Sequence, residues 1–124
     1  MVEIEVANRS GAQLDVDAAA DLIRAVLRGE GIDEGELGLQ LVAADEIRGL
    51  KRDHLGVDEE TDALAFPIDG REPVPEGVPR QLGDVVLCPQ VVGDAWRAPL
   101  VHAVLHLVGY DHGAEMEARE RTHA

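Results

Sequence analysis

The chain contains few of the residues on which several classes of protein depend. Aromatic residues make up 2% of its 124 residues, and there is one cysteine, Cys88. Scarce aromatics remove the stacking surfaces on which proteins that bind single-stranded nucleic acid commonly rely. A lone cysteine excludes an internal disulfide and a zinc site made of cysteines, which agrees with a reducing compartment. We expect Cys88 to be a small buried residue rather than a ligand or a nucleophile.

Basic residues are also scarce. The 25 Asp and Glu residues against 11 Lys and Arg residues give a net charge of −14 at pH 7. This charge opposes tight non-specific binding to nucleic acid, because phosphate contacts normally come from clustered Arg and Lys. The sequence also has no run of about 18 apolar residues and no basic segment leading into an apolar one at its beginning, so it predicts no membrane-spanning helix and no signal peptide. We expect a cytoplasmic protein.

The patterning of apolar residues predicts one small domain over residues 1–124 that mixes strands and helices. Strands are predicted over residues 2–7, 37–43, 63–68 and 83–87, and Pro67 indicates either a sheet edge or the exit from the third strand. A helix over residues 16–27 is expected to begin at a cap by Asp15, and Asp45 is expected to cap a short helix over residues 46–50. Further helices are expected over the histidine segment and residues 115–121, and His123 is expected to be disordered. The fold class is therefore α+β, with a mixed sheet of about four strands and the histidine helix lying across it.

The segment from His102 to His112 carries the strongest chemical signal. On a helix with about 3.6 residues per turn, His102 and His106 are separated by roughly 40° and project from the same face. Gly109 stands where a helix end favours a left-handed residue, so the chain can turn back and bring His112 toward the same ion. Three histidines and a water are typical of a catalytic zinc site. The sequence predicts one Zn²⁺ ion held by His102, His106 and His112.

Two alternatives bear on this metal site. The spacing also resembles that of the metzincin peptidases, but these have a general-base Glu directly after the first histidine, where this chain has Ala103. A zinc peptidase is therefore a remote alternative. The identity of the metal stays open, because imidazole ligands suit several metal ions.

Residues 102–112 also resemble the signature of the YbeY family of bacterial endoribonucleases and ribosomal RNA maturation factors. That signature is close to His-Gly-x-Leu-His-Leu-x-Gly-Tyr-Asp-His, and this chain matches it at every position except Ala103. Residues 61–67 and 82–88 resemble two further blocks of the family in the same order and spacing. The resemblance implies zinc at the same histidines, cleavage of single-stranded RNA, maturation of small-subunit ribosomal RNA and a role in ribosome quality control.

The chain departs from the family at one position that bears on catalysis. Many members have an arginine, thought to face the phosphate, where this chain has Leu55. The preceding residue, His54, is a candidate to donate or accept a proton, with a surface histidine as the alternative. His54 and the ligand His112 are thus the candidate catalytic residues. Three basic residues that precede Leu55 are candidates to replace the arginine: Arg48, Lys51 and Arg52. The alternative is that they form a solvated helix face.

Leu55, the acidic charge and the few aromatics favour a second hypothesis. In it the protein is a ribosome-associated factor in which zinc mainly stabilises the fold and cleavage is weak or absent. Asp111 is expected either to orient a ligand imidazole or to stabilise the turn. Under both hypotheses we expect a ribosomal protein or an assembly factor as a partner, because an acidic protein that works on RNA needs a basic surface from elsewhere.

Overall fold

The computed structural model describes residues 1–55, 63–69, 71–110 and 113–123, together with the side chains of all of these except His54 and Leu55. The strands are β1 (Glu3–Asn8), β2 (Glu36–Leu41), β3 (Ala63–Pro67) and β4 (Gln81–Leu87). The helices are α1 (Val16–Gly29), α2 (Ala44–Leu55), α3 (Pro89–Val92), α4 (Arg97–Leu107) and α5 (Ala114–His123), with a 3-10 turn over Gly93–Ala95. The predicted α+β class is confirmed.

The strands form one mixed sheet in the order β1-β2-β4-β3. β1, β2 and β4 are parallel, and β3 pairs antiparallel with β4 at the edge, as Pro67 predicted. Where Pro67 pairs with Gly83, the backbone approaches too closely for any side chain: a Cβ on Gly83 would lie 2.2 Å from the carbonyl oxygen of Phe66. Gly83 also has a φ of +126°, which residues with a Cβ rarely adopt. Both the close contact and the backbone conformation therefore require glycine at this position.

Helices cover the sheet on both faces. On one face, α4 packs on β3 and β4 and against α1, and the side chains of Leu37, Leu39 and Leu41 enter this main core. On the other face, Ile47 of α2 packs in a smaller cluster that includes Val86 and the fully buried Cys88. The expectation that Cys88 is a buried small residue is confirmed, and the helix that contains His102 and His106 lies on the sheet.

The α1 helix begins as predicted, because the Asp15 side chain accepts a hydrogen bond from the Ala18 amide. The prediction for α2 was wrong in two respects. The helix is longer than residues 46–50, and Asp45 lies within its first turn. Its first backbone amide, that of Ala44, donates instead to Oε1 of Gln90 at 3.0 Å. The side-chain Nε2 of Gln90 in turn donates to the Ser10 carbonyl. This cap comes from 46 residues away, so local sequence spacing does not predict it.

Two further predictions need correction. The alternation of apolar residues over 2–7 indicates one buried face, but that face is buried only at its beginning: Val2 is buried and Ile4 is half-buried against the main core, while Val6 is 38% exposed. His123 was expected to be disordered, but it is the last residue of α5 and its side chain is only 9% exposed. Its imidazole contacts the carboxylate of Glu30.

Candidate metal centre

Helix α4 presents the first two predicted ligands together. Its apolar residues are buried against the sheet and α1, and they include Leu100, Val104 and Leu105. His102 and His106 are half-buried, their ring centroids lie 4.7 Å apart, and the ring planes are nearly perpendicular at 83°. A core-facing apolar surface thus fixes the helix while the two imidazoles stand side by side.

The chain turns sharply where α4 ends. Gly109 has a φ of +104°, as its position predicted. The Gly109 amide donates to the His106 carbonyl at 3.1 Å, and the Tyr110 amide donates to the Leu105 carbonyl at 3.1 Å. This pair of hydrogen bonds is a Schellman motif, which ends a helix and turns the chain back along it. The turn brings the carbonyl of Tyr110 against the ring of His106.

The hydrogen-bond partners of the two imidazoles determine where each hydrogen lies. Nδ1 of His106 is 2.8 Å from the carbonyl oxygen of Tyr110, and Nδ1 of His102 is 3.3 Å from a carboxylate oxygen of Glu120 on α5. A carbonyl or an ionised carboxylate only accepts, so Nδ1 is the donor in both rings. In a neutral imidazole the lone pair is then on Nε2, as zinc-binding histidines with such partners require. These two imidazoles therefore fit two of the coordination positions of a zinc ion.

Sequence reasoning did not identify Glu120 as a partner of His102. The two residues are 18 positions apart and meet because α5 packs against α4. No spacing rule connects residues on two separate helices. The carboxylate expected to orient a ligand, Asp111, lies outside the described residues.

The remaining predicted site residues are only partly placed. His112 also lies outside the described residues, and within the described part of the chain no three metal-ligating side chains come together. His54 lies in the last turn of α2, but its side chain is not described. The zinc ion, the third ligand and both catalytic assignments therefore stay predictions.

A cleft of about 740 Å³ lies beside His106 and Tyr110. The charged residues in its lining are Asp69, Arg71, Glu72 and Glu115. Arg71 donates from Nε to the Val108 carbonyl at 3.0 Å, and from Nη1 and Nη2 to the carbonyl and carboxylate of Glu30 at 3.0 and 3.1 Å. Arg71 thus ties the loop after β3 to α1 and α4. The candidate cations Arg48, Lys51 and Arg52 lie on α2, and their role in binding phosphate stays a prediction.

Glu30, directly after α1, is the most heavily bonded carboxylate in the described chain. Its side chain is 2% exposed and accepts hydrogen bonds from the Tyr110 hydroxyl at 2.7 Å, Arg119 Nε at 2.8 Å and His123 Nε2 at 2.7 Å, besides Arg71. Burial alone would raise the pKa of Glu30. The hydrogen bonds from His123, Tyr110 and Arg119 outweigh it and lower the pKa from 4.5 to about 2. The carboxylate is therefore ionised at neutral pH.

Comparison with known proteins identifies close relatives along nearly the whole chain. The family model described as endoribonuclease YbeY matches residues 5–123. A Salinispora tropica protein named endoribonuclease YbeY is 37% identical over 139 residues, covering 96% of this chain and 88% of its own. The protein of that name from Halorhodospira halophila is 40% identical over 107 residues, covering 70% and 67%. A solution structure from Thermotoga maritima matches with a TM-score of 0.59 and 26% identity over 99% of this chain and 86% of that one.

Proposed function

Because the chain belongs to the endoribonuclease YbeY family, we propose that it is a zinc-dependent endoribonuclease that cleaves single-stranded ribosomal RNA. We place this activity in the cytoplasm, in maturation of the small ribosomal subunit and in ribosome quality control. Among the described helices, none is long and apolar enough to cross a membrane. The observation that carries the proposal is the pair His102 and His106, whose Nδ1 atoms both face acceptors.

The ligands proposed for the zinc ion are His102, His106 and His112. Bound there, zinc supplies Lewis-acid stabilisation of negative charge on a phosphoryl oxygen. The protein prepares this site by holding the imidazoles: the Tyr110 carbonyl orients His106, and Glu120 orients His102. In RNA the adjacent 2′-hydroxyl is a nucleophile already present in the substrate. When it attacks the phosphorus, the bond from phosphorus to the 5′-oxygen of the next nucleotide breaks. His54 is proposed to accept the proton of the 2′-hydroxyl or to donate a proton to the leaving 5′-oxygen.

The distribution of charge supports a basic protein partner. One groove of about 490 Å³ on the sheet is lined by four acidic residues, Glu3, Glu5, Glu36 and Asp84, and the chain as a whole has a net charge of −14. Such a surface repels RNA and attracts a basic protein. We propose that the partner is a ribosomal protein or a ribosome-assembly factor. Affinity capture should recover such a protein in a salt-sensitive manner, and Glu3→Gln with Glu5→Gln should weaken the capture; recovery of no ribosomal component would contradict this.

One other function has a specific observation in its favour. The family resemblance implies an arginine at the position of Leu55, and the cleft beside His106 contains three carboxylates and one guanidinium. Both features favour a zinc-stabilised assembly factor with little or no nuclease activity. The zinc peptidase loses support, because Ala103 is 2% exposed and packs in the main core, where a general base would not reach a substrate.

The test is cleavage of a labelled single-stranded ribosomal RNA fragment by zinc-loaded protein. His106→Ala and His112→Ala, purified in parallel, control for contaminating nucleases, and the same fragment annealed into a duplex controls for strand specificity. Cleavage of the single strand by the parent protein alone supports the endoribonuclease. Equal cleavage by all three proteins, or no cleavage while zinc is bound, supports the assembly factor instead.

A further inference from the structure

The two groups that orient the site histidines are both anchored to one distant carboxylate. Tyr110 places its carbonyl oxygen against His106 and donates its hydroxyl to Glu30 Oε1. Helix α5 places Glu120 against His102 and donates from Arg119 and His123 to Glu30 Oε2. Each oxygen of Glu30 is therefore connected, through one element, to one imidazole.

The local structure around Glu30 is shaped for these contacts. A Cβ on Gly29 would lie 2.5 Å from Cε1 of His123, so the last residue of α1 leaves room for the imidazole to reach the carboxylate. Tyr110 is held at both ends, since its amide closes the turn after α4 while its hydroxyl meets Glu30. Buried carboxylates with several donors hold their partners in one arrangement, because breaking one contact leaves a charge unpaired.

We propose that Glu30 is a positioning residue that sets the orientation of both His102 and His106 from outside the site. It acts on His106 through Tyr110 and on His102 through α5. The inference rests on the proposed function in one respect, because zinc binding is the purpose that we assign to this orientation. The orientation itself is measurable in protein from which metal has been removed.

The first experiment measures the tautomers of the two imidazoles in metal-free protein by ¹⁵N NMR at a pH where both rings are neutral. In the wild-type protein, hydrogen should reside on Nδ1 of both rings. Glu30→Gln keeps the shape but removes the charge, so both rings should gain the Nε2–H form. Val86→Ala is the matched control, because it removes buried apolar volume in the cluster on the opposite face of the sheet and should leave both tautomers unchanged.

Two single-contact variants test the separate routes and remain informative if Glu30→Gln does not fold. Tyr110→Phe removes the hydroxyl but keeps the carbonyl, and it should affect His106 more than His102. Arg119→Gln removes one anchor of α5 and should affect His102 more than His106. Equal effects on both rings, or effects on neither, would overturn the proposal.

The second experiment measures zinc affinity by competition with a chromogenic chelator, under conditions where every variant is folded. Loss of groups that orient zinc ligands typically weakens affinity 10–100-fold. We expect Glu30→Gln to weaken zinc binding roughly 10-fold in the wild-type background, and to weaken it less in a Glu120→Ala background, where only the route through Tyr110 to His106 remains. Unchanged affinity and unchanged tautomers in Glu30→Gln would show that Glu30 only stabilises the fold. If the wild-type protein itself binds no zinc, the proposed function fails, while the tautomers still decide the role of Glu30.

Discussion

Replacing Glu30 with Gln should destabilise the fold in a pH-dependent manner. The carboxylate is 2% exposed, and four side chains donate to it from the loop after β3, the turn after α4, and α5. A glutamine keeps one acceptor oxygen but presents an NH₂ group to donors that need an acceptor. The variant therefore leaves buried donors without a partner and the charges of Arg71 and Arg119 uncompensated.

The pKa of Glu30 sets the size of the effect. A pKa lowered from 4.5 to about 2 corresponds to at most ~3.4 kcal/mol, at about 1.36 kcal/mol per pH unit. Because the side chains of Arg71 and Arg119 are 46% and 32% exposed and partly screened by water, we expect about 2–3 kcal/mol at pH 7.

The sign of the pH dependence follows from which state binds the proton. The unfolded chain protonates Glu30 near pH 4.5 and the folded chain only near pH 2, so the stabilisation is complete well above pH 4.5 and is lost as the pH falls toward 2. At pH 3 the same two pKa values leave ~1.4 of the ~3.4 kcal/mol. The difference between wild type and Glu30→Gln should therefore fall by more than half from pH 7 to pH 3.

Urea unfolding at a series of pH values measures this difference. Far-UV circular dichroism follows the helices, and the fluorescence of Trp96, the chain's single tryptophan and only 6% exposed, follows the core. Other carboxylates titrate in both proteins, so their contribution cancels in the difference. A change in unfolding free energy below about 0.5 kcal/mol at pH 7, or one equally large at pH 3, would refute the reasoning.

Three further predictions concern two glycines and the metal. Gly83→Ala should lower the free energy of unfolding by about 2–4 kcal/mol or prevent folding, since its Cβ would meet the Phe66 carbonyl; near-wild-type stability in urea would contradict this. Gly109→Ala should cost about 1 kcal/mol, measured in the same way, because its φ of +104° disfavours a side chain; an unchanged or raised midpoint would refute it. Removing zinc with a chelator should lower the melting temperature of the wild-type protein but not of His106→Ala; equal shifts in both would count against His106 as a ligand.

The sequence predicted those features that depend on neighbours along the chain. Alternation in β2 and helical spacing in α1 reflect burial of one face, and the structure buries most of the residues on these faces, namely Leu37, Leu39 and Leu41 in β2 and Ala19, Ile23, Val26 and Leu27 in α1. Pro67 indicated a sheet edge because it cannot donate to a ladder, and Gly109 indicated the turn after α4. The pairing of His102 with His106 followed from the geometry of one helix.

The features that were missed depend on contacts between distant segments. The cap of α2 comes from Gln90, and the partner of His102 comes from α5. His123 was expected to be disordered because it is close to the last residue, yet a buried carboxylate 93 positions away binds it. Such pairs join residues that only the tertiary fold brings together, so the periodicity and spacing of the sequence do not predict them.

The network around Glu30 gives a physical reason for the residues between the histidines of the motif. Gly109 allows the turn, and Tyr110 then performs three tasks with three groups: its amide ends α4, its carbonyl orients His106 and its hydroxyl binds Glu30. A phenylalanine at this position would retain the first two contacts and lose the third. The motif therefore contains, besides its histidines, the residue that connects them to the rest of the fold. Substitutions at Glu30 should accordingly disturb the orientation of His102 and His106, as substitutions within the motif do, although Glu30 is 72 positions before His102 in the sequence.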